Sequence, residues 1–271
     1  MQPQSSIPPT RILLIGSGHV AEALAAAWSG CGKVDVLLRA RNGVRAAAIA
    51  ARWGVTVVPA SAPLPAADLY LIAVSDSAVG TVARELTALP GIDPDAVVAH
   101  TAGSVGLDAL PAAWPARGVF YPFQTFTKGR TVDFSRIPLF VEGSSPEVVS
   151  RLTQIGKSLT ERCFEADSSR RRMIHLAGVF ANNFANAMYG IGGELMARAG
   201  FGFDMLRELI LETAAKAAAS EDPAAVQTGP AVRGDFGVQA AHCELLRDDE
   251  ALQRIYQTVS ERIWEISKKT S

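Results

Sequence analysis

The chain has 271 residues, 48% of them hydrophobic and 20% charged, the balance of a globular protein that buries a large core without disulfides. Its 26 basic and 27 acidic side chains leave a net charge of −1 and are spread evenly along the chain. That distribution excludes a basic nucleic-acid module, an acidic tail and a polybasic membrane patch.

The polar start, Met1 to Thr10, lacks the basic and apolar regions of a secretory leader. Arg11-Ile-Leu-Leu-Ile15 is a short apolar run ended by a glycine turn, the pattern of a buried parallel strand. Gly16-Ser-Gly-His-Val-Ala21 follows and leads into a helix over 22–28. Between strand and helix, each small residue answers a separate steric need. Gly16 makes the tight turn, Gly18 lets backbone approach a pyrophosphate, and Ala21 lets the helix lie close to the strand. The helix amides then face the phosphates. This turn assigns Gly16, Ser17, Gly18, His19 and Val20 to a dinucleotide, with His19 a spectator side chain on it.

A second strand over 34–38 ends in Leu-Arg39-Ala-Arg41, where an NAD enzyme usually carries a carboxylate for the ribose. Guanidinium groups suit a 2′-phosphate instead, so Arg39 and Arg41 point to NADP(H). A helix over 45–53, a short strand at 55–58, a strand over 69–74 and a helix over 77–89 follow. Val74 and Ser75 lie at one strand end. His100 and Thr101 lie at the next, after a strand over 96–99. Such strand ends bind ligands in open α/β sheets. His100 faces either the nicotinamide or a loop carbonyl, and Ser77 reads as a helix N-cap. Further strands are expected at 119–121 and 139–141.

Beyond Asp167 no strand is evident. Ser168 or Ser169 could cap a helix from Arg170 to about Ala199, weakened by glycines and breaking near Gly192 or packing closely there. Helices over 204–220, 236–247 and 249–268 complete the chain. The fold class is α/β: a parallel-sheet domain over 10–166, then an all-α domain over 167–271. No apolar run approaches the ~20 residues of a membrane helix. Cys31, Cys163 and Cys243 lie far apart, and the four histidines lack close spacing. No metal is expected, and a reducing, cytoplasmic setting fits.

Gly16 to Ala21, Tyr121-Pro-Phe-Gln-Thr-Phe126, His175-Leu-Ala-Gly-Val-Phe-Ala-Asn-Asn183-Phe-Ala-Asn186 and Gln227-Thr-Gly-Pro-Ala-Val-Arg233-Gly-Asp235 together carry a resemblance. From about Arg11 to Trp264 the chain resembles NADP oxidoreductases with a Rossmann-like N-terminal domain and a helical C-terminal domain of unknown function. That group is similar to the wider superfamily of 6-phosphogluconate, β-hydroxyacid and pyrroline-5-carboxylate dehydrogenases and reductases. The resemblance implies an NADP-binding first domain and a 6-phosphogluconate dehydrogenase C-terminal-like second domain. Members of the superfamily pair through that domain, which implies a homodimer. One departure stands out. The β-hydroxyacid enzymes carry a catalytic Lys and an Asn four residues apart on the long helix. Here the long helix has no lysine after Arg170, and Val179 stands four residues after His175.

That helix still carries polar side chains on one quadrant: at ~100° per residue His175, Asn182, Asn183 and Asn186 cluster together. Asn183 and Asn186 match the family motif. His175 could act as general acid, since histidine side chains titrate near neutral pH, and an asparagine could orient a carbonyl or hydroxyl. The other reading is a polar seam that satisfies backbone groups. Lys216 either pairs with Glu212 on a surface or substitutes for the missing lysine. Arg233 could hold a substrate carboxylate, with Gln124 and Thr125 opposite it if the domains close as in relatives.

The expectation is an NADP-dependent oxidoreductase moving a hydride between NADP(H) and a small carbonyl, imine or alcohol in the interdomain cleft. A non-catalytic NADP-binding sensor or scaffold is the alternative. The partners are a small-molecule substrate and a second copy of the chain, with neither nucleic acid nor membrane.

Overall fold

A computed structural model of the chain describes residues 9–270, so most of the Met1–Thr10 segment lies outside the described residues. The chain forms two compact units, Met1–Phe184 and Ala185–Ser271.

The first unit is built on an eight-stranded sheet: β1 (Thr10–Ile15), β2 (Val34–Arg39), β3 (Thr56–Val57), β4 (Leu69–Ile72), β5 (Val97–His100), β6 (Arg117–Pro122), β7 (Leu139–Gly143) and β8 (Cys163–Glu165). Their order is β3-β2-β1-β4-β5-β6-β7-β8, and only the β6–β7 pair is antiparallel. The apolar run in β1 is continuous because both sheet faces are covered. Ile12 and Leu14 enter one core with Leu24, Trp28 and Phe120, whereas Leu13 and Ile15 enter another with Tyr70, Ile72 and Val98. Helices α1 (His19–Trp28), α2 (Gly43–Trp53), α3 (Val79–Thr87) and α4 (Pro146–Gly156) accompany these strands.

Register places the site. Ile15 pairs with Arg39 on one side and Ile72 on the other, and Ile72 pairs with His100. The loops after β1, β2, β4 and β5 therefore leave one edge of the sheet, around the point where strand order reverses between β1 and β4.

The helix α4 and the strand β8 are additions to the elements expected from the sequence. The start of α4 has a legible signal: Ser145 accepts a hydrogen bond from the Val148 amide and Pro146 occupies the first turn. The strand β8 is three residues long and has no periodicity to read. Asp167, rather than either serine, caps α5 (Ser168–Gly178), accepting from the Arg170 amide. A π-helical turn, Val179–Phe184, then ends the first unit.

The second unit contains α6 (Ala185–Arg198), α7 (Arg207–Ala219), α8 (Phe236–Leu245) and α9 (Glu250–Thr270), with no strand among the described residues. There is no break at Gly192. A Cβ on Gly192 would lie 3.1 Å from the Leu206 side chain, and one on Gly193 3.0 Å from the Phe203 ring, so these glycines allow close packing of the 203–206 turn. His242 Nδ1 meets the Tyr256 hydroxyl at 2.8 Å, and Phe236 meets Trp264 edge to face, tying α8 to α9. No residue of α6, α7 or α8 is buried. No helix among the described residues is long and apolar enough to cross a membrane.

Candidate functional site

Two features of the first unit carry chemistry. The first is a cavity of about 590 Å³ lined by Gly16, Ser17, Gly18, Arg39, Arg41, Val74 and Ser75. Gly16 has φ +131°, and a Cβ there would fall 2.2 Å from the Ala73 carbonyl oxygen. The turn can therefore be built only with glycine. Gly18 has extended backbone at the N-cap of α1, whose first amides receive no side-chain cap. Fully buried Ala21 lets the helix sit tightly on the sheet. Uncapped amides at a helix start, without an intervening side chain, form a cradle for an anion.

The two arginines differ. Arg39 is buried, and its guanidinium donates to the carbonyls of Ala62 at 2.7 Å and Ala60 at 2.5 Å. It fixes the 60–62 loop as a wall of the cavity. Arg41 is exposed and makes neither ion pair nor side-chain hydrogen bond among the described residues, so its charge is free for a phosphate. His19 lines a separate, smaller cavity with Glu22, Trp53 and Arg130. Val20 and Thr101 do not line the large cavity.

His100 is fully buried. The Ala102 amide donates to its Nδ1 at 3.2 Å, so Nε2 donates to the Gly106 carbonyl at 3.3 Å. Burial, with the nearby Arg171 charge, pulls its pKa down to about 4. Of the two open readings of His100, the structure selects the loop carbonyl. Ser77 caps nothing: it sits inside the 3₁₀ turn Asp76–Ala78, which Ser75 precedes.

The second feature is a cavity of about 290 Å³ lined by Tyr121, Phe123, Gln124, Thr125, His175, Asn182 and Asn183. The Tyr121 hydroxyl and His175 Nδ1 are 3.2 Å apart. Phe123 meets Tyr121 edge to face at 6.0 Å and walls the cavity with carbon. Gln124 Oε1 accepts from the Thr125 amide at 2.8 Å. Burial, with a smaller contribution from the Asp76 charge, pushes the Tyr121 phenol up to about 12. The π turn opens the ladder to i→i+5 spacing, which turns less per residue than an α-helix. The even 100° phase expected for the three asparagines therefore does not hold. Asn182 and Asn183 line this cavity, whereas Asn186 lies in α6 of the second unit.

Arg171, one turn before His175, escapes a reading of the sequence because it stands in an Arg170-Arg171-Arg172 run that looks solvated. It is fully buried, pairs with Glu142 and donates to the Val105 carbonyl. Ser168 donates to Glu142 at 2.9 Å and accepts from the Leu107 amide at 3.1 Å. This buried cluster locks the start of α5 against β7 and the loop after β5, and so aims His175. Lys216, on α7, is half-buried and has no ion pair with Glu212. Arg233 is exposed in the second unit.

Residues 11–102 match a family described as NADP oxidoreductase, coenzyme F420-dependent, and residues 137–263 match a domain of unknown function, DUF2520. A Bacteroides fragilis protein whose crystal structure is described as a candidate NADP oxidoreductase is 39% identical over 96% of this chain and 100% of its own, with a TM-score of 0.85. An imine reductase from a Pseudomonas species is 16% identical over 94% of this chain and 92% of its own, with a TM-score of 0.59. A pyrroline-5-carboxylate reductase from Coxiella burnetii is 14% identical over 97% of this chain and 98% of its own, with a TM-score of 0.56. The last two share the fold. No curated protein matches the sequence.

Proposed function

As the chain belongs to the family of NADP oxidoreductases that pair a Rossmann-like domain with a helical domain, we propose that it transfers a hydride between NADP(H) and a small carbonyl, imine or alcohol. NADP(H) is the cofactor. The observation that carries the reaction is the aromatic-walled cavity in which His175, Asn183 and Gln124 meet. When bound, NADPH supplies the hydride. The uncapped amides after Gly16 and Gly18 hold the pyrophosphate, and Arg41 holds the 2′-phosphate. Asn183 and Gln124 orient the substrate oxygen or nitrogen, and His175 delivers the proton. Lys216 is proposed as a catalytic lysine, Arg233 as a carboxylate clamp and Asn186 as a further polar contact. Loss of NADPH absorbance against a panel of small ketones, aldehydes and cyclic imines tests the activity. An absence of turnover across the panel counts against it.

The division of labour between the arginines has its own consequence. Charge-assisted hydrogen bonds are worth about 1.5–3 kcal/mol, so NADPH should bind at least about tenfold more tightly than NADH. Arg41→Ala should abolish most of that preference in a fluorescence titration with both cofactors. Arg39→Ala should weaken both cofactors together, because it releases the 60–62 wall. Equal loss of preference in both variants would contradict the assignment.

A two-fold homodimer through the helical unit is the assembly that best accounts for its surface. Leu209, Leu211, Met205 and Phe236 are each more than 60% exposed in the single chain, and Leu245 is 79% exposed. Such a density of open apolar side chains marks an association surface. Light scattering at micromolar concentration should give twice the 28.7 kDa chain mass, and a monomer would exclude this. A cytoplasmic location is supported by three cysteines that remain unpaired.

A further inference from the structure

His175 has two ring nitrogens, and the one that carries the proton decides what it can give to a ligand. Its Nδ1 faces the Tyr121 hydroxyl at 3.2 Å, and no other group among the described residues shares that nitrogen. Tyr121 is half-buried, and this is its hydroxyl's one hydrogen bond among the described residues. If Nδ1 carried the proton, the phenol oxygen would accept and its own proton would be left in a partly buried site without an acceptor. Such a loss is costly. The high pKa of the phenol keeps its proton in place for donation. Packing holds the pair in register: a Cβ on Gly103 would lie 2.5 Å from Tyr121 Cζ and 2.8 Å from His175 Nδ1, so only glycine lets the loop after β5 lie against both rings. The same loop accepts a hydrogen bond from Arg171 at the Val105 carbonyl, which with the Arg171–Glu142 pair holds the helix that carries His175.

We propose that Tyr121 is the positioning residue of this site: its hydroxyl donates to His175 Nδ1 and thereby keeps the neutral ring's proton on Nε2, the nitrogen left for a ligand of the cavity. The inference rests on the reading of His175 as proton donor. It also balances that step for a carbonyl. Hydride addition at carbon leaves the electron pair of the C=O π bond on oxygen. The Nε2–H bond breaks toward that oxygen while Nδ1 takes the Tyr121 proton; a proton from water then enters at Nε2 and the Nδ1 proton returns to the phenolate, which restores the starting tautomer. The ring is never forced to become an anion.

Long-range proton–nitrogen correlation spectra of the full-length, ¹⁵N-histidine-labelled protein test this without a substrate, with the His175 signals assigned by their loss in His175→Ala. Wild-type His175 should show a protonated Nε2 and an unprotonated Nδ1. In Tyr121→Phe, which keeps the ring and its packing, the two nitrogen shifts should move toward one another as the tautomers mix. Turnover of NADPH should fall about tenfold or more, with NADPH affinity unchanged. A protonated Nδ1 in the wild type overturns the proposal, as do unchanged nitrogen shifts or undiminished turnover in Tyr121→Phe. Persistence of turnover in His175→Ala would instead remove the proton-donor reading and leave the tautomer result standing on its own.

Discussion

Replacement of His175 by alanine is expected to lower NADPH-dependent turnover by about two to four orders of magnitude, the range lost with a positioned general acid. NADPH affinity should stay within about twofold of wild type. The reason is spatial: the cofactor cradle is built by the loops after β1, β2 and β4, and His175 is not among the residues that line it. His175 belongs instead to the cavity of Tyr121, Gln124 and Asn183. Asn183→Ala should lower turnover less, because the role proposed for it is to orient the substrate and not to move a proton. Rate and affinity are read from NADPH absorbance and fluorescence titration on the same preparations. A His175→Ala enzyme within about threefold of wild type would remove the general-acid role and leave His175 as part of a polar seam.

Gly16→Ala is expected to damage both the fold and the cradle. The new Cβ would stand 2.2 Å from the Ala73 carbonyl oxygen just past β4, a backbone group that cannot swing away as a flexible side chain can. The φ of +131° adds backbone strain of about 1–3 kcal/mol for any residue with a Cβ. Relief requires the phosphate turn to shift away from Ala73, which moves the helix amides off their target. With about 2–4 °C lost per kcal/mol in a chain of this size, the melting temperature should drop by roughly 5–10 °C. NADPH affinity should fall by at least about tenfold, since anion binding here depends on those amides. Gly43→Ala serves as the control: its Cβ meets nothing within 4 Å, and both quantities should hold. Binding of NADPH to Gly16→Ala with wild-type affinity would refute the cradle.

The parts legible in the sequence are those whose physics is local. The strand Thr10–Ile15, the glycine turn and the following helix declare themselves within about twenty residues, because apolar runs, turn geometry and helix packing act on neighbours in the chain. The same holds for the parallel strands over 34–39 and 69–72 and for the change to an all-helical second part. The α4 helix carries an equally local signal in Ser145, Pro146 and its apolar spacing, although it was not among the expected elements.

Roles shared by distant residues were not legible. Arg39 and Arg41 look alike in sequence. Carbonyls 21 and 23 residues away claim Arg39 and leave Arg41 free. His100 is a possible cofactor contact by its place at a strand end, but Ala102 and Gly106 hold both its nitrogens. The asparagine stripe belongs to an ideal helix, and the π turn over Val179–Phe184 divides it. From the sequence alone come the glycine turn, the parallel strands of the sheet and the helical second half, since each follows from short-range sterics and hydrophobic periodicity; the antiparallel β6–β7 pair and β8 do not. Only the tertiary structure decided which polar groups are already satisfied. It set Tyr121 against His175 across 54 residues and buried Arg171 on Glu142, because hydrogen bonds and desolvation depend on what the fold brings into contact.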